Sequence, residues 1–259
     1  MSCKYKIDWK IYMHLLIFLL GLVIGSFLNV VIYRLPRGES IIFPPSHCPK
    51  CNHKLSALEL IPIVSYLILR GQCDKCGSPI SIRYPLVELG TGLLFLLNSI
   101  IFNDYIILLS GLIFISYIIV LSMIDIDYRI LPDKLTLSAF MIGLVLSFFR
   151  TDINMLNAVA GALAGGGLLF VVALVSKGGL GGGDIKLLLM FGTFLGPLSA
   201  VASVFLGAVF GLIANIPGLV AGNVGRKSKI PFGPFLGLAA LVFWFFGDSF
   251  WQWYLSLIL

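Results

Sequence analysis

The sequence predicts an all-α polytopic membrane protein of about eight transmembrane helices, and three observations carry that prediction. Hydrophobic residues make up 59% of the 259-residue chain. Charged residues make up only 12%, about half the share found in a soluble domain. Mean hydropathy is +1.02, and several apolar runs reach the roughly 20 residues that carry a helix across the ~30 Å hydrocarbon core.

The first run, IYMHLLIFLLGLVIGSFLNVVIY (11–33), is too long for the apolar region of a signal peptide. No small-residue cleavage site and polar mature chain follow it, so it reads as the first span. A long loop then extends to residue 83. Further spans are expected at 84–102, 105–124, 134–149, 155–176, 185–202, 203–222 and 233–257. Within GPLSAVASVFLGAVFG, Gly196–Pro197 is the one breaking signal. The small residues of GALAG (161–165) and GGG (165–167) read as close helix contacts. No G-x-G-x-x-G follows a strand and opens a helix, which leaves a Rossmann-type cofactor site unsupported.

The net charge of +6 is distributed as in a membrane protein, and no nucleic-acid partner is expected. Arg34, Arg37, Lys50, Lys54, Arg70, Lys75 and Arg83 crowd the long loop; Arg129 and Lys134 follow the third span. Lys177 and Lys186 flank a glycine run, and Arg226, Lys227 and Lys229 precede the last span. With eight spans all four groups share one side, which the positive-inside rule makes cytoplasmic. Lys4, Lys6 and Lys10 oppose this from the N-terminal side.

The long loop contains Cys48-x-x-Cys51 and Cys73-x-x-Cys76. Two such pairs present four thiolates to a tetrahedral metal, and a reducing compartment disfavours disulfides. Four cysteines fill every position of a zinc ion, so the expected metal is structural. His47 and His53 adjoin the first pair as weaker competitors. Cys3 stands alone. The apolar stretch LELIPIVSYLIL between the pairs is too short to span, and is expected to pack under the knuckle or lie against the membrane surface.

Few acids lie in or beside the spans, and intramembrane carboxylates are functional candidates. Asp133 follows Pro132 and reads as the N-cap of the fourth span. Glu88 divides evenly between packing and a site. Asp248 is expected near the outer end, away from the others. Asp125 and Asp127 are about 200° apart on a helix, so only one can face a shared site, and spacing leaves the choice open. Asp184 closes the run GGLGGGD, where glycines admit positive φ and close approach. One acid ending the third span and one heading the sixth both fall at the cytoplasmic lip. There they can share a proton as an aspartyl-protease pair does. Helix dipoles suggest Asp184 as the base and the acid of the third span as its partner.

These segments together resemble the type IV prepilin peptidases, bifunctional membrane enzymes of the GxGD aspartyl protease group. The resemblance runs almost end to end, through GSFLNVVIYRLPRG (25–38), the paired CxxC knuckles, RYPLVELGTG (83–92), IDIDYRILPDKLT (124–136), GGGDIKLL (181–188) and IPFGPFLG (230–237). It implies that Asp125 and Asp184 are catalytic, which decides against Asp127. It implies cleavage of the short basic leader of membrane-inserted prepilins and pseudopilins at the cytoplasmic face of a bacterial inner membrane. N-methylation of the new N-terminus by S-adenosylmethionine is implied to follow. The cysteine loop is implied to belong to bifunctional members; the cofactor-binding residues are not implied. The x of GxGD is Gly182 here. The expected organisation is an N-terminal helix (1–34), a four-cysteine zinc loop associated with methyl transfer (35–83), and a membrane-embedded peptidase core (84–259). The competing readings are a peptidase without the methyltransferase activity and a proton- or cation-coupled transporter; the transporter predicts an internal repeat that the aspartate segments do not share.

Overall fold

The computed structural model describes residues 2–176, 181–220 and 231–258, with side chains from residue 9 to 217 and from 231 to 257 outside the gap at 177–180. Lys177, the glycines and leucine of 178–180, Arg226, Lys227, Lys229 and Ile230 lie outside the described residues. The side chains of Cys3, Lys4 and Lys6 do so too. Secondary structure is helical: α1 (Ser2–Arg34), a 3-10 turn (Leu35–Arg37), α2 (Val64–Ile68), α3 (Arg83–Ile101), α4 (Tyr105–Tyr128), α5 (Asp133–Ser147), α6 (Met155–Val175), α7 (Gly182–Val220) and α8 (Gly233–Ile258). The chain packs as two compact units, residues 1–103 and 104–259. The three-part organisation expected from the sequence is a functional one, taken up under the proposed function.

Among the described residues six helices are long and apolar enough to cross a membrane. The expected eight differ from these at two places. Helix α5 has 15 residues, about 22 Å at 1.5 Å per residue, short of a full crossing. Helix α7 has 39 residues, about 58 Å, and breaks where Gly196 takes φ 74°, ψ 178° ahead of Pro197. A left-handed φ suits glycine, and the proline that follows has no amide to donate. The break is thus earlier than the 202/203 boundary expected from hydropathy.

In the first unit α1 and α3 approach at small residues. A Cβ on Gly21 would sit 2.7 Å from the Gly92 Cα, and one on Gly25 would sit 2.7 Å from the Glu88 Cα. In lipid, helices gain little from apolar burial, and close backbone approach supplies the association instead. The Asn29 amide donates to the Tyr84 carbonyl (3.1 Å), tying the C-terminal end of α1 to the start of α3. Between them, residues 35–82 form the cysteine loop. It contains two turns of one design: His47 bridges Lys54, and Gln72 bridges Pro79. The residue after each CxxC is left-handed, Asn52 at φ 57° and Gly77 at φ 65°.

In the second unit α7 packs against α5, α6 and α8. Gly161 lies against Gly192, and Gly165 and Gly166 lie against Leu188 and Leu189, so the small residues of α6 serve packing as expected. The core is aromatic. Phe114 stacks on Phe194 (centroids 4.7 Å) and meets Phe191 (5.7 Å) and Trp244 (5.4 Å); such pairs add about 0.5–1.5 kcal/mol each beyond burial. Arg150 closes one end. Its buried guanidinium donates to the Phe194 carbonyl (2.9 Å), just before the α7 break, pairs with Asp152 and lies over the Trp244 ring (5.1 Å). Helices α4 and α6 start on side-chain caps, Asp104 accepting from the Ile106 and Ile107 amides and Asn154 from that of Asn157.

Candidate functional site

Asp125 and Asp184 come together in the second unit. Asp125 lies in the last turn of α4 and is 6% exposed. Its Oδ2 accepts a hydrogen bond from the Gly233 amide (2.9 Å), the first residue of α8. Asp127, two residues on, is exposed, so one helix face separates the two acids that spacing alone leaves equivalent. Asp184 sits half-buried in the first turn of α7. Asp125 and Asp184 lie within electrostatic reach of one another.

The structure adds a contact that the dipole argument from sequence did not include. By sequence Asp125 stands only at the C-terminal end of α4, where an anion is disfavoured. In the structure the same carboxylate also stands at the N-terminal end of α8 and holds an amide there. An amide donated to a carboxylate supports its ionised form, a contact that the position of Asp125 at the end of α4 does not foretell. Sequence reasoning missed Gly233, although its motif IPFGPFLG was noticed; nothing local links it to an acid 108 positions away.

The described glycines before Asp184, at 181–183, do not supply positive φ. Positive φ among the described glycines is confined to Gly38, Gly71, Gly77 and Gly196, whereas Gly182 and Gly183 already belong to α7. What Gly183 supplies is space: a Cβ there would stand 3.0 Å from Leu131 Cβ. At Gly182 a Cβ meets nothing within 4 Å. The segment after α4 is clamped to α7 a second time by the Lys186–Asp133 ion pair (2.7 Å). This corrects the reading of Asp133 as an N-cap: Pro132 is the cap residue, without a side-chain bond, and Asp133 is in the first turn. Asp248 is exposed on α8.

The four cysteines of the first unit converge, with all four Sγ atoms within 4.8 Å of one another. Cys48 and Cys76 are 3.8 Å apart, Cys51 and Cys73 3.9 Å. A tetrahedron with ~2.3 Å zinc–sulfur bonds has edges of about 3.8 Å, so the donor set fits that ion. The histidines are engaged elsewhere, His47 with the Pro45 carbonyl (3.0 Å) and His53 with Glu59 (3.2 Å). The Cys51 amide, then the Ser78 hydroxyl, draws Cys48 down to about 6. Cys51 accepts the His53 amide, which pulls it down. Burial and the sulfurs of Cys76, Cys48 and Cys73 outweigh that and push it up to about 12. Four sulfurs this close cannot all ionise until a cation offsets their repulsion.

Glu88, left open by the sequence, is 8% exposed on α3, and its Oε2 accepts the Ile63 amide (2.8 Å). Of the apolar stretch between the cysteine pairs, Leu58, Leu67 and Ile68 are exposed at 76%, 68% and 74%. Exposed apolar side chains of this kind suit a membrane surface.

Comparison with known proteins accords with this geometry. Residues 19–102 match the Bacterial Peptidase A24 N-terminal domain, and residues 112–216 match the Type IV leader peptidase family. The chain is similar to the prepilin leader peptidase/N-methyltransferase of Aeromonas salmonicida, at 38% identity over 94% of both chains. It is similar to proteins of that name from Neisseria gonorrhoeae (37%, 92% of this chain and 93% of the relative) and Legionella pneumophila (37%, 96% and 97%). No solved structure matches it. Two family matches, one falling in each packed unit, and relatives alignable over more than nine-tenths of the chain, have one reading: this chain belongs to the type IV leader peptidase family.

Proposed function

We propose that this chain is a bifunctional enzyme of the bacterial inner membrane. It cleaves the leader peptide of membrane-inserted prepilins or pseudopilins at the cytoplasmic face, and N-methylates the residue exposed by the cut. The observation that carries the peptidase half is the buried Asp125 carboxylate on the first amide of α8, within reach of Asp184 at the head of α7.

The chemistry follows from that pair. Asp125, held as the anion by the Gly233 amide, takes a proton from a water molecule as its oxygen attacks the scissile carbonyl. Asp184, protonated, gives its proton to the carbonyl oxygen as the tetrahedral species forms. Collapse breaks the C–N bond: the leaving amine takes the proton held by Asp125, and one hydroxyl of the tetrahedral carbon returns its proton to Asp184 as the carboxyl product forms. The two acids act as one titrating unit.

Cys48, Cys51, Cys73 and Cys76 hold a zinc ion, which folds residues 35–83 and does no chemistry itself. That loop and the flanking α1 and α3 serve methyl transfer, and residues 84–259 hold the peptidase pair. S-adenosylmethionine, when bound, supplies an electrophilic methyl group to the new N-terminal amine. The positive charges at residues 34–83 and 129–134 support a cytoplasmic location for both activities.

The deciding experiment incubates a purified prepilin with the zinc-loaded enzyme, with and without S-adenosylmethionine, and weighs the products by mass spectrometry. Leader loss, abolished in Asp125→Asn and Asp184→Asn, and a donor-dependent gain of one methyl group are expected. A folded enzyme that cuts no prepilin refutes the peptidase reading; cleavage with no methyl gain refutes the other half.

A further inference from the structure

A cavity of about 620 Å³ opens inside the first unit, in the range of small-molecule sites. Its walls come from three stretches: the end of α1, the start of α3 and the cysteine loop. The loop contributes Cys48, Cys73 and Ser78, so the metal knuckle is itself part of the wall. Tyr33, Tyr66 and Tyr84 supply aromatic surface.

Two lining side chains are charged and more than nine-tenths buried. Glu88 is 8% exposed and Arg34 is 7% exposed. Neither meets an opposite charge among the described residues. Glu88 is held by neutral donors, the Ile63 amide and the Ser26 hydroxyl. Arg34 makes one side-chain hydrogen bond, Nη1 to the Ser40 carbonyl (3.0 Å), and no ion pair among the described residues. Glu59, another lining carboxylate, is taken up by His53 and the Ser56 amide; Glu39 and Lys50 are exposed.

Buried charges in folded proteins are paired, because an unpaired one is costly. A cavity that keeps one buried anion and one buried cation, each with neutral partners only, is complementary to a molecule carrying both charges. The aromatic walls suit a flat ring and a soft cation. An adenosyl sulfonium amino acid has all three features: a cationic centre, a carboxylate and a planar base.

We propose that this cavity is the methyl-donor site, Glu88 taking the cationic part of S-adenosylmethionine and Arg34 its carboxylate. The inference rests on the methyltransferase half of the function proposed above. It gives the cysteine loop a part in the second activity: the knuckle forms part of the pocket wall. Glu88 and Arg34 bind and orient; the amine attacks the methyl carbon, the carbon–sulfur bond breaks onto sulfur, and the amine proton leaves to solvent.

The test is binding, measured on the zinc-loaded full chain in nanodiscs by calorimetry. The probes are S-adenosylhomocysteine, S-adenosylmethionine and decarboxylated S-adenosylmethionine. Wild type is expected to bind the first two and to bind the decarboxylated donor about tenfold more weakly than the intact one, the loss of one charged contact. Arg34→Gln should lose that discrimination, and Glu88→Gln should weaken S-adenosylmethionine more than the uncharged thioether. As a check independent of variant folding, wild type is irradiated with methyl-labelled S-adenosylmethionine and digested. Label within residues 26–34, 59–66 or 78–88 supports the site. Label in the second unit, or variants that keep both preferences, overturns the pocket while leaving the methyltransferase reading standing. A wild type that binds no donor and transfers no methyl overturns both.

Discussion

Replacing Gly233 by alanine tests the assignment of Asp125 as the amide-held anion. A Cβ at this position would lie 2.8 Å from Asp125 Oδ2 and 3.3 Å from its Cγ. Ordinary carbon–oxygen contacts begin at about 3.3 Å, so the carboxylate must withdraw by roughly 0.5 Å. That stretches the 2.9 Å bond from the Gly233 amide beyond the ~3.2 Å limit of a good hydrogen bond. A hydrogen bond to a charged group contributes about 1.5–3 kcal/mol, which at about 1.36 kcal/mol per tenfold in rate is roughly a 10- to 150-fold loss. Global stability changes little, because alanine is the better helix former and offsets part of the strain by up to ~1 kcal/mol. The assay is single-turnover cleavage of a prepilin in nanodiscs, beside a thermal melt. The matched control is Gly182→Ala, where a Cβ meets nothing within 4 Å and the rate should stay within about twofold. If Gly233→Ala also cleaves at the wild-type rate, the amide does not support the working anion and the assignment of base and acid fails.

Gly183→Ala should slow cleavage by about 100-fold with a far smaller stability change. Its Cβ presses on Leu131 beside Asp184, and small misplacement of a catalytic group is costly. Asp127→Asn should keep near-wild-type cleavage, whereas Asp125→Asn and Asp184→Asn abolish it; activity in either of the latter ends the dyad reading. Stripping the metal with a chelator should speed tryptic cutting at Lys50, Lys54 and Lys75 by more than about tenfold, since metal binding is folding energy for such knuckles; unchanged protection would mean that the loop folds without an ion. Arg150→Met should lower stability by about 1–3 kcal/mol, read from the melt, because it leaves the Phe194 carbonyl without its buried donor, while the exposed Asp152 is taken up by water.

Much of this protein is legible in local sequence. Length and apolarity of a run decide whether it forms a membrane helix, since every backbone group there must bond within its own helix. The spans beginning at 84, 105 and 155 therefore fall within a residue or so of the starts of α3, α4 and α6. The four cysteines are legible for the same reason, each pair being a local turn that aims two thiols at one point. Asp184 stands out because an acid at the lip of a span is costly enough to need a reason.

Tertiary structure decided what depends on which helix lies beside which. Asp125 is distinguished from Asp127 by the face α4 turns inward. Its carboxylate accepts an amide from a helix 108 residues later, a contact that its own helix gives no sign of. Gly183 serves packing against Leu131 and not backbone freedom. Glu88 and Arg34, unremarkable as a pair in the sequence, become two buried charges with neutral partners in one cavity. The physical reason is common to all four: hydropathy and spacing report the cost of a residue within its own element, while the partner that offsets the cost comes from another element.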